Sequence, residues 1–346
     1  MFFLPRTLPS TPAEYELIAT GEDKRWWRVL IGVVVGVVAA VPLSLIIFIP
    51  FVAMDPTGNT LGTLDSTNID MTDPVVFSVM MLSLIVLIPA AMLAAIIAFR
   101  YRPGYLFSVA GGIRWKWQIK AVVIAIAYFA VIYTALTFLE GTDFHPPAHL
   151  GFLILLIVVL TPLQSAAEEI VFRGLVMQVI GALIPHRLIA LPLAAVVSAA
   201  SFALAHGSLD AGILTELGFF ALICVFLTWY TGGLEAAIAL HAANNVTIFI
   251  IEAFEGHTSS IVTAETTSEP GTLAISVLIN AVLVALLVYA YRREGLGNRH
   301  CPAQRPAPTA DYLHSRLLKG EFIPEYADRY PAHISAQYGY HQHYEL

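Results

Sequence analysis

The chain has 346 residues, of which 58% are hydrophobic and only 12% charged, with a formal net charge of −7. Soluble globular proteins carry about 25% charged residues, so this composition predicts a membrane protein. No basic patch with interleaved aromatic residues is present, so a nucleic-acid partner is not expected. Two cysteines are too few for a disulfide framework.

The order of apolar and polar segments predicts one membrane domain between two tails. Residues 1–26 are mixed polar without a signal-peptide pattern, and we expect a cytoplasmic N-terminal segment. Residues 27–292 hold eight stretches of the roughly 20 apolar residues that a spanning helix needs: 27–51, 75–99, 119–139, 150–180, 188–206, 211–230, 234–252 and 272–291. Residues 293–346 have little periodicity and predict a mostly disordered cytoplasmic tail. The predicted fold is an all-α polytopic bundle of about eight transmembrane helices.

The positions of the basic residues predict the orientation of this bundle in the membrane. Of the 18 lysines and arginines, 17 fall before the first span, after the last, at alternate connections, or at the span edges beside them, and the exception, Arg173, lies well inside a span. The other connections contain neither lysine nor arginine: 52–74, 140–149, 207–210 and 253–271. The positive-inside rule then predicts a multi-pass protein of the cell membrane, in contact with the lipid bilayer, with both termini cytoplasmic.

The fourth span contains three ionisable residues within six consecutive positions: Glu168, Glu169 and Arg173. Each costs roughly 2.5–3.5 kcal/mol to insert into hydrocarbon, so such residues mark a functional site by default. Residues four apart share a helix face, which predicts a buried ion pair between Glu169 and Arg173. Glu168 points elsewhere and needs a partner outside its helix, such as a metal ion, a histidine or water.

Later spans add His206, at the end of the fifth, and His241 with Asn245, four apart on one face of the seventh. Counted along straight helices, Glu168 and His206 lie roughly 27–30 Å from their shared turn, and His241 lies about 13 Å from the turn before it. The depths agree only if the hairpin of spans four and five projects beyond the membrane or the helices tilt strongly.

These groups suit two kinds of amide hydrolysis. Glu168, His206 and His241 match the two-histidine, one-glutamate set that holds Zn²⁺ and leaves a position for water. Without a metal, Glu168 would act as general base while a histidine and Asn245 stabilise the oxyanion. Each polar group alone has a packing explanation, as does Phe202, but the combination on three helices is poorly explained by packing.

Three motifs occur in order on successive spans: Glu-Glu-x-x-x-Arg at 168–173, Phe-x-x-x-His at 202–206 and His-x-x-x-Asn at 241–245. Together they resemble the CAAX-protease and bacteriocin-processing family of intramembrane endopeptidases, which includes the eukaryotic type II prenyl-protein protease. The resemblance covers roughly residues 115–253.

The resemblance implies that Glu168 activates water near the membrane face. It also implies that His206 and His241 are metal ligands or catalytic polar groups, and that Asn245 is an oxyanion donor or orients those groups. The family is described both as metalloproteases and as glutamate-dependent proteases.

The leading hypothesis is a membrane-embedded endopeptidase that cleaves a membrane-associated peptide or protein, with Zn²⁺ as a possible cofactor. One rival is a non-catalytic scaffold or bacteriocin self-immunity protein that binds a peptide in the same cavity. A second rival is a proton-coupled transporter, because Glu and His also build intramembrane proton relays. Such a transporter would need broken helices in matching halves of the chain, which the sequence does not show.

Overall fold

The structure is a computed structural model that describes residues 8–21, 26–53, 70–257 and 271–302, together with four isolated positions nearer the C-terminus. Contacts divide the chain into two units, Met1–Cys301 and Pro302–Leu346. Most of the predicted disordered tail, residues 293–346, lies outside the described residues.

The described residues form a helical bundle without named strands, which confirms the predicted fold class. A 3-10 helix, Tyr15–Thr20, precedes ten α-helices: α1 Trp26–Ala53, α2 Pro74–Ile85, α3 Leu87–Phe99, α4 Trp115–Glu140, α5 Leu150–Glu169, α6 Val176–Leu183, α7 Arg187–Ala205, α8 Ala211–Thr231, α9 Glu235–Glu255 and α10 Thr272–Glu294. Eight helical segments in the described part of the chain are long and apolar enough to span a membrane, as predicted.

Two of the eight spans are interrupted helices. The second span, Pro74–Phe99, breaks at Val86 between α2 and α3. Pro89 lacks the N–H that would bond to the carbonyl of Ile85, where α2 ends. The fourth span, Leu150–Leu183, joins α5 to α6 through a π-helical turn, Ile170–Leu175, which starts directly after Glu169.

The length of the fourth span bears on the conflict in predicted depths. It contains 34 residues, which corresponds to about 51 Å of helix, well beyond the roughly 30 Å of a hydrocarbon core. Its far end, α6, packs against the 3-10 helix Tyr15–Thr20 of the N-terminal segment. A Cβ on Gly181 would lie 1.8 Å from the carbonyl oxygen of Glu16, so only glycine permits this approach. A hairpin of spans four and five that projects beyond the hydrocarbon agrees with this length, and counting from the tip of such a hairpin overestimates the depth of Glu168.

Helix α9 is the centre of the bundle and the most buried span. It packs against α4, α5 and α8, and alanines on its surface allow this close approach: Ala236, Ala237, Ala239, Ala242 and Ala243. Its first residue, Glu235, accepts three hydrogen bonds from Arg114: one from the backbone N–H at 2.9 Å and two from the guanidinium, at 2.8 Å from Nε and 2.6 Å from Nη2. This bidentate pair fixes where α9 begins and so sets the register of His241.

Candidate active site

Glu168 lies near the end of α5 with its side chain almost fully buried. Gln164, one turn earlier on the same helix face, donates from Nε2 to Glu168 Oε1 over 2.7 Å. Ser165 donates to the amide oxygen of Gln164 over 3.3 Å. One carboxyl oxygen of Glu168 is thus held by its own helix, which leaves Oε2 to face a neighbouring helix.

Glu169 and Arg173 form the predicted ion pair. Arg173 Nη1 lies 3.0 Å from Glu169 Oε1, and both side chains are fully buried. The Arg173 guanidinium also lies over the Phe202 ring of α7, 4.3 Å from its centroid. A buried pair of this kind is costly to break, because removing one partner leaves an uncompensated charge.

His241 connects the two glutamates across the interface of α5 and α9. Its Nδ1 lies 2.8 Å from Glu169 Oε1, and its Nε2 lies 3.6 Å from Glu168 Oε2. Because Glu169 is paired with Arg173 and accepts at Oε1, the Nδ1 of His241 carries the proton that is donated there. The Nε2 atom then faces Glu168 Oε2, and a water molecule between them can contact both atoms at about 2.8 Å.

Aromatic rings enclose this polar group. The centroids of Phe220 and Phe202 lie 5.2 and 5.9 Å from that of His241, and Phe172 packs edge-on against Phe202 at 5.4 Å. Phe202, read from the sequence as a packing residue, therefore contacts the site on two sides, at Arg173 and at His241. Such walls restrict water to the polar groups and strengthen electrostatic interactions among them.

His206 caps the C-terminal end of α7 and is partly exposed. Its Nδ1 lies 2.8 Å from the carbonyl oxygen of Phe202, and its ring lies 4.6 Å from the Phe202 ring. Within the described ranges, no hydrogen bond or ion pair joins it to Glu168 or His241. His206 thus borders the site through Phe202.

Asn245 lies one turn after His241 and is partly exposed. Its Oδ1 accepts a hydrogen bond of 3.0 Å from Asn244 Nδ2. Asn244 Oδ1 accepts in turn from the hydroxyl of Tyr133, on α4, over 2.7 Å.

The side chains predicted to hold Zn²⁺ do not form a ligand set as they are placed. Among the described residues, no three His, Cys, Asp or Glu side chains are arranged to hold a metal ion. His241 already directs Nδ1 to Glu169, and His206 directs Nδ1 to a backbone carbonyl. Of the three predicted ligands, only Glu168 and His241 approach each other.

Several residues at the site were not predicted from the sequence: Gln164, Phe220, Tyr133 and Asn244. Gln164 is a polar residue four positions before Glu168, and the helical period was a signal that pointed to it. The contacts of Phe220, Tyr133 and Asn244 depend on packing between helices, which no local pattern shows.

Comparison with known families gives a match within the membrane domain. Residues 147–247 match the family model described as "Type II CAAX prenyl endopeptidase Rce1-like". No curated protein and no solved structure matches the chain. Members of this family are intramembrane endopeptidases, and the match confirms the resemblance carried by the three motifs. Residues 147–247, which hold all six predicted site residues, are therefore similar to this family, and the match supports assigning the chain to the CAAX-protease family.

Proposed function

We propose that this protein is an intramembrane endopeptidase of the cell membrane that hydrolyses a peptide bond with water activated by Glu168. The observation that carries the proposal is the approach of Glu168 Oε2 to His241 Nε2, 3.6 Å apart and buried between two membrane-spanning helices. A carboxylate and an imidazole that face each other in an enclosed, aromatic-lined site suit water activation better than they suit packing.

Each of these residues has one role in the proposed reaction. Glu168 removes a proton from the bound water, while His241 Nε2 accepts a hydrogen bond from the second water proton. The water oxygen bonds to the scissile carbonyl carbon, and the Asn245 amide, with His206 at the rim, stabilises the oxyanion. The carbon–nitrogen bond then breaks, and Glu168 returns its proton to the departing amine. Glu169 and Arg173 hold the His241 ring in the orientation that the step requires.

The name of the matched family suggests the substrate class, which is a membrane-associated peptide or protein that ends in a prenylated cysteine followed by a few residues. A quenched fluorescent peptide with an S-farnesyl cysteine before its last three residues is therefore the first probe. The same peptide without the lipid shows whether the prenyl group is recognised. Zinc binding by Glu168, His206 and His241 stays a prediction, which metal analysis of the purified protein and of His206→Ala tests.

The decisive experiment compares wild type with Glu168→Gln in detergent. Loss of a general base lowers kcat by roughly 10²–10⁴-fold. The matched control is Glu252→Gln, because Glu252 is also buried, on the helix that carries His241, but lines a separate small cavity beside Met71, Thr72 and Phe77. The control is expected to retain the wild-type rate. A folded Glu168→Gln protein that cleaves at the wild-type rate would refute the proposal.

A further inference from the structure

A chain of hydrogen bonds reaches the candidate active site from α4. It starts at the hydroxyl of Tyr133, passes through the side-chain amide of Asn244 and ends at Oδ1 of Asn245, with lengths of 2.7 and 3.0 Å. Neither Tyr133 nor Asn244 belongs to the three sequence motifs. Asn244 nevertheless contacts Asn245, the residue proposed to stabilise the oxyanion, and Tyr133 is linked to Asn245 through Asn244.

The direction of this chain fixes which end of the Asn245 amide is free. A side-chain amide accepts at its oxygen and donates at its nitrogen. Because Asn244 donates to Asn245 Oδ1, the Asn245 nitrogen is turned away from Asn244. Among the described residues, Asn245 makes no other side-chain hydrogen bond, so both N–H groups remain to donate. In the reversed chain, Asn245 would present its oxygen, which cannot stabilise an oxyanion.

The start of the chain is held rigidly. The Tyr133 ring stacks on Phe129, one turn earlier on α4, with centroids 5.3 Å apart and an interplanar angle of 7°. Phe129 is fully buried where α4 and α9 pack together. The hydroxyl of Tyr133 therefore has a fixed position from which it donates to Asn244.

We propose that Tyr133 and Asn244 are positioning residues that hold the Asn245 amide with its N–H groups toward the scissile carbonyl. The inference rests on the proposed endopeptidase function and deepens it. It predicts that these two residues affect the chemical step and leave substrate binding unchanged, because an oxyanion forms only in the transition state.

Kinetics on the farnesylated peptide test the inference. Loss of an oxyanion donor in Asn245→Ala lowers kcat roughly 10²–10³-fold. Asn244→Asp is expected to lower kcat by a similar factor, since a carboxylate only accepts and turns the Asn245 nitrogen toward itself. Tyr133→Phe removes one hydrogen bond and is expected to lower kcat about 10-fold with little change in KM.

Two comparisons separate positioning from a general loss of structure. Tyr128→Phe is the matched control, because Tyr128 is on the same helix and donates to the carbonyl of Ile279 over 2.8 Å, away from Asn245; its kcat should equal that of wild type. In the double variant Tyr133→Phe with Asn245→Ala, kcat should equal that of Asn245→Ala alone, because Tyr133 acts only through Asn245. The inference would be overturned if the two substitutions lowered kcat in the double variant by the product of their separate factors. A wild-type kcat in both Tyr133→Phe and Asn244→Asp would overturn it as well.

A spectroscopic measurement keeps the inference testable if the wild-type protein cleaves no peptide and the proposed function fails. In protein labelled with ¹⁵N-asparagine, the Asn245 side-chain resonances are assigned by their loss in Asn245→Ala. Tyr133→Phe should shift them, and Tyr128→Phe should not. Unchanged Asn245 resonances in Tyr133→Phe would show that the chain does not orient this amide, whatever the activity.

Discussion

Glu16 is a fully buried carboxyl group in the 3-10 helix Tyr15–Thr20, where the N-terminal segment packs against α6. Burial raises the pKa of Glu16 from its ordinary value of 4.5 to about 7; a hydrogen bond from its own backbone opposes the rise, as does Arg187 more weakly, and the nearby Glu14 adds to it. Between about pH 4.5 and pH 7, the Glu16 carboxyl group therefore keeps its proton when the segment is docked and loses it when the segment is undocked.

This difference in pKa predicts that the N-terminal segment docks less firmly as the pH rises. Docking is strongest below about pH 4.5 and loses about 3 kcal/mol as the pH rises to about 7, because the buried group must then ionise. Amide hydrogen-exchange protection factors of residues 15–20, at about pH 5 and about pH 8, measure the effect. Glu16→Gln should show the same protection at both pH values.

Glu14→Gln is the control for this prediction. Glu14 forms a partly exposed ion pair with Arg299 at 2.8 Å, so its loss should lower protection at both pH values and keep most of the pH dependence. A wild-type segment that is equally protected across this range would contradict the prediction.

At the site, contacts within one helix could be predicted and contacts between helices could not. The Glu169–Arg173 pair follows from a separation of four residues, and the structure places these groups 3.0 Å apart. The second partner of Glu169, His241, lies 72 positions further on. Finding it requires the relative depth of two helices. Counting along straight helices misjudged that depth, because the fourth span is interrupted by a π-helical turn and is longer than a hydrocarbon core is thick.

Among the secondary-structure elements, the membrane-spanning helices could be predicted from the length of the apolar segments. The irregular helical turn beside the site could not. The π-helical turn Ile170–Leu175 starts directly after Glu169 and contains Arg173. Ser198 of α7 donates to the carbonyl of Phe172 within it over 2.8 Å, which ties the turn to the neighbouring helix. No proline marks this turn, and tertiary contacts of this kind are not visible in a local pattern. Single π-helical turns occur frequently at functional sites.

Helix α1 packs against α3 through small residues. Gly32 and Gly36 are one turn apart and face Ala94 and Ala98, so that a Cβ on Gly32 would lie 2.5 Å from the Cβ of Ala98 and 2.7 Å from the carbonyl oxygen of Ala94. In lipid, the association of helices depends on such close packing.

This contact predicts opposite effects for two identical substitutions. Gly218→Ala, on α8, meets no atom within 4 Å and should stabilise the protein by up to about 1 kcal/mol through helix propensity alone. Gly32→Ala gains the same propensity but overpacks the α1–α3 interface, which costs roughly 1–3 kcal/mol. The thermal midpoint in detergent should therefore rise in the first variant and fall in the second. A rise in both would show that the interface is loose.

For the whole molecule, the distribution of lysine and arginine predicts the orientation in the membrane, which the fold alone does not determine. Eight crossings would return the chain to the side of the membrane on which it started, and the positive-inside rule assigns that side to the cytoplasm. The two cysteines provide a probe, because Cys301 is exposed after α10 and Cys224 is buried within α8.

A membrane-impermeant maleimide should therefore label Cys301 in permeabilised cells and leave it unlabelled in intact cells. Cys301→Ser should abolish the labelling, because the thiol of Cys224 is enclosed by its neighbours. Asp143 provides the opposite control: it is exposed in a connection without lysine or arginine, so Asp143→Cys in the Cys301→Ser background should be labelled in intact cells. Labelling of Cys301 in intact cells would reverse the orientation and place the N-terminal segment, with its buried Glu16, outside the cytoplasm, where it would meet the external pH.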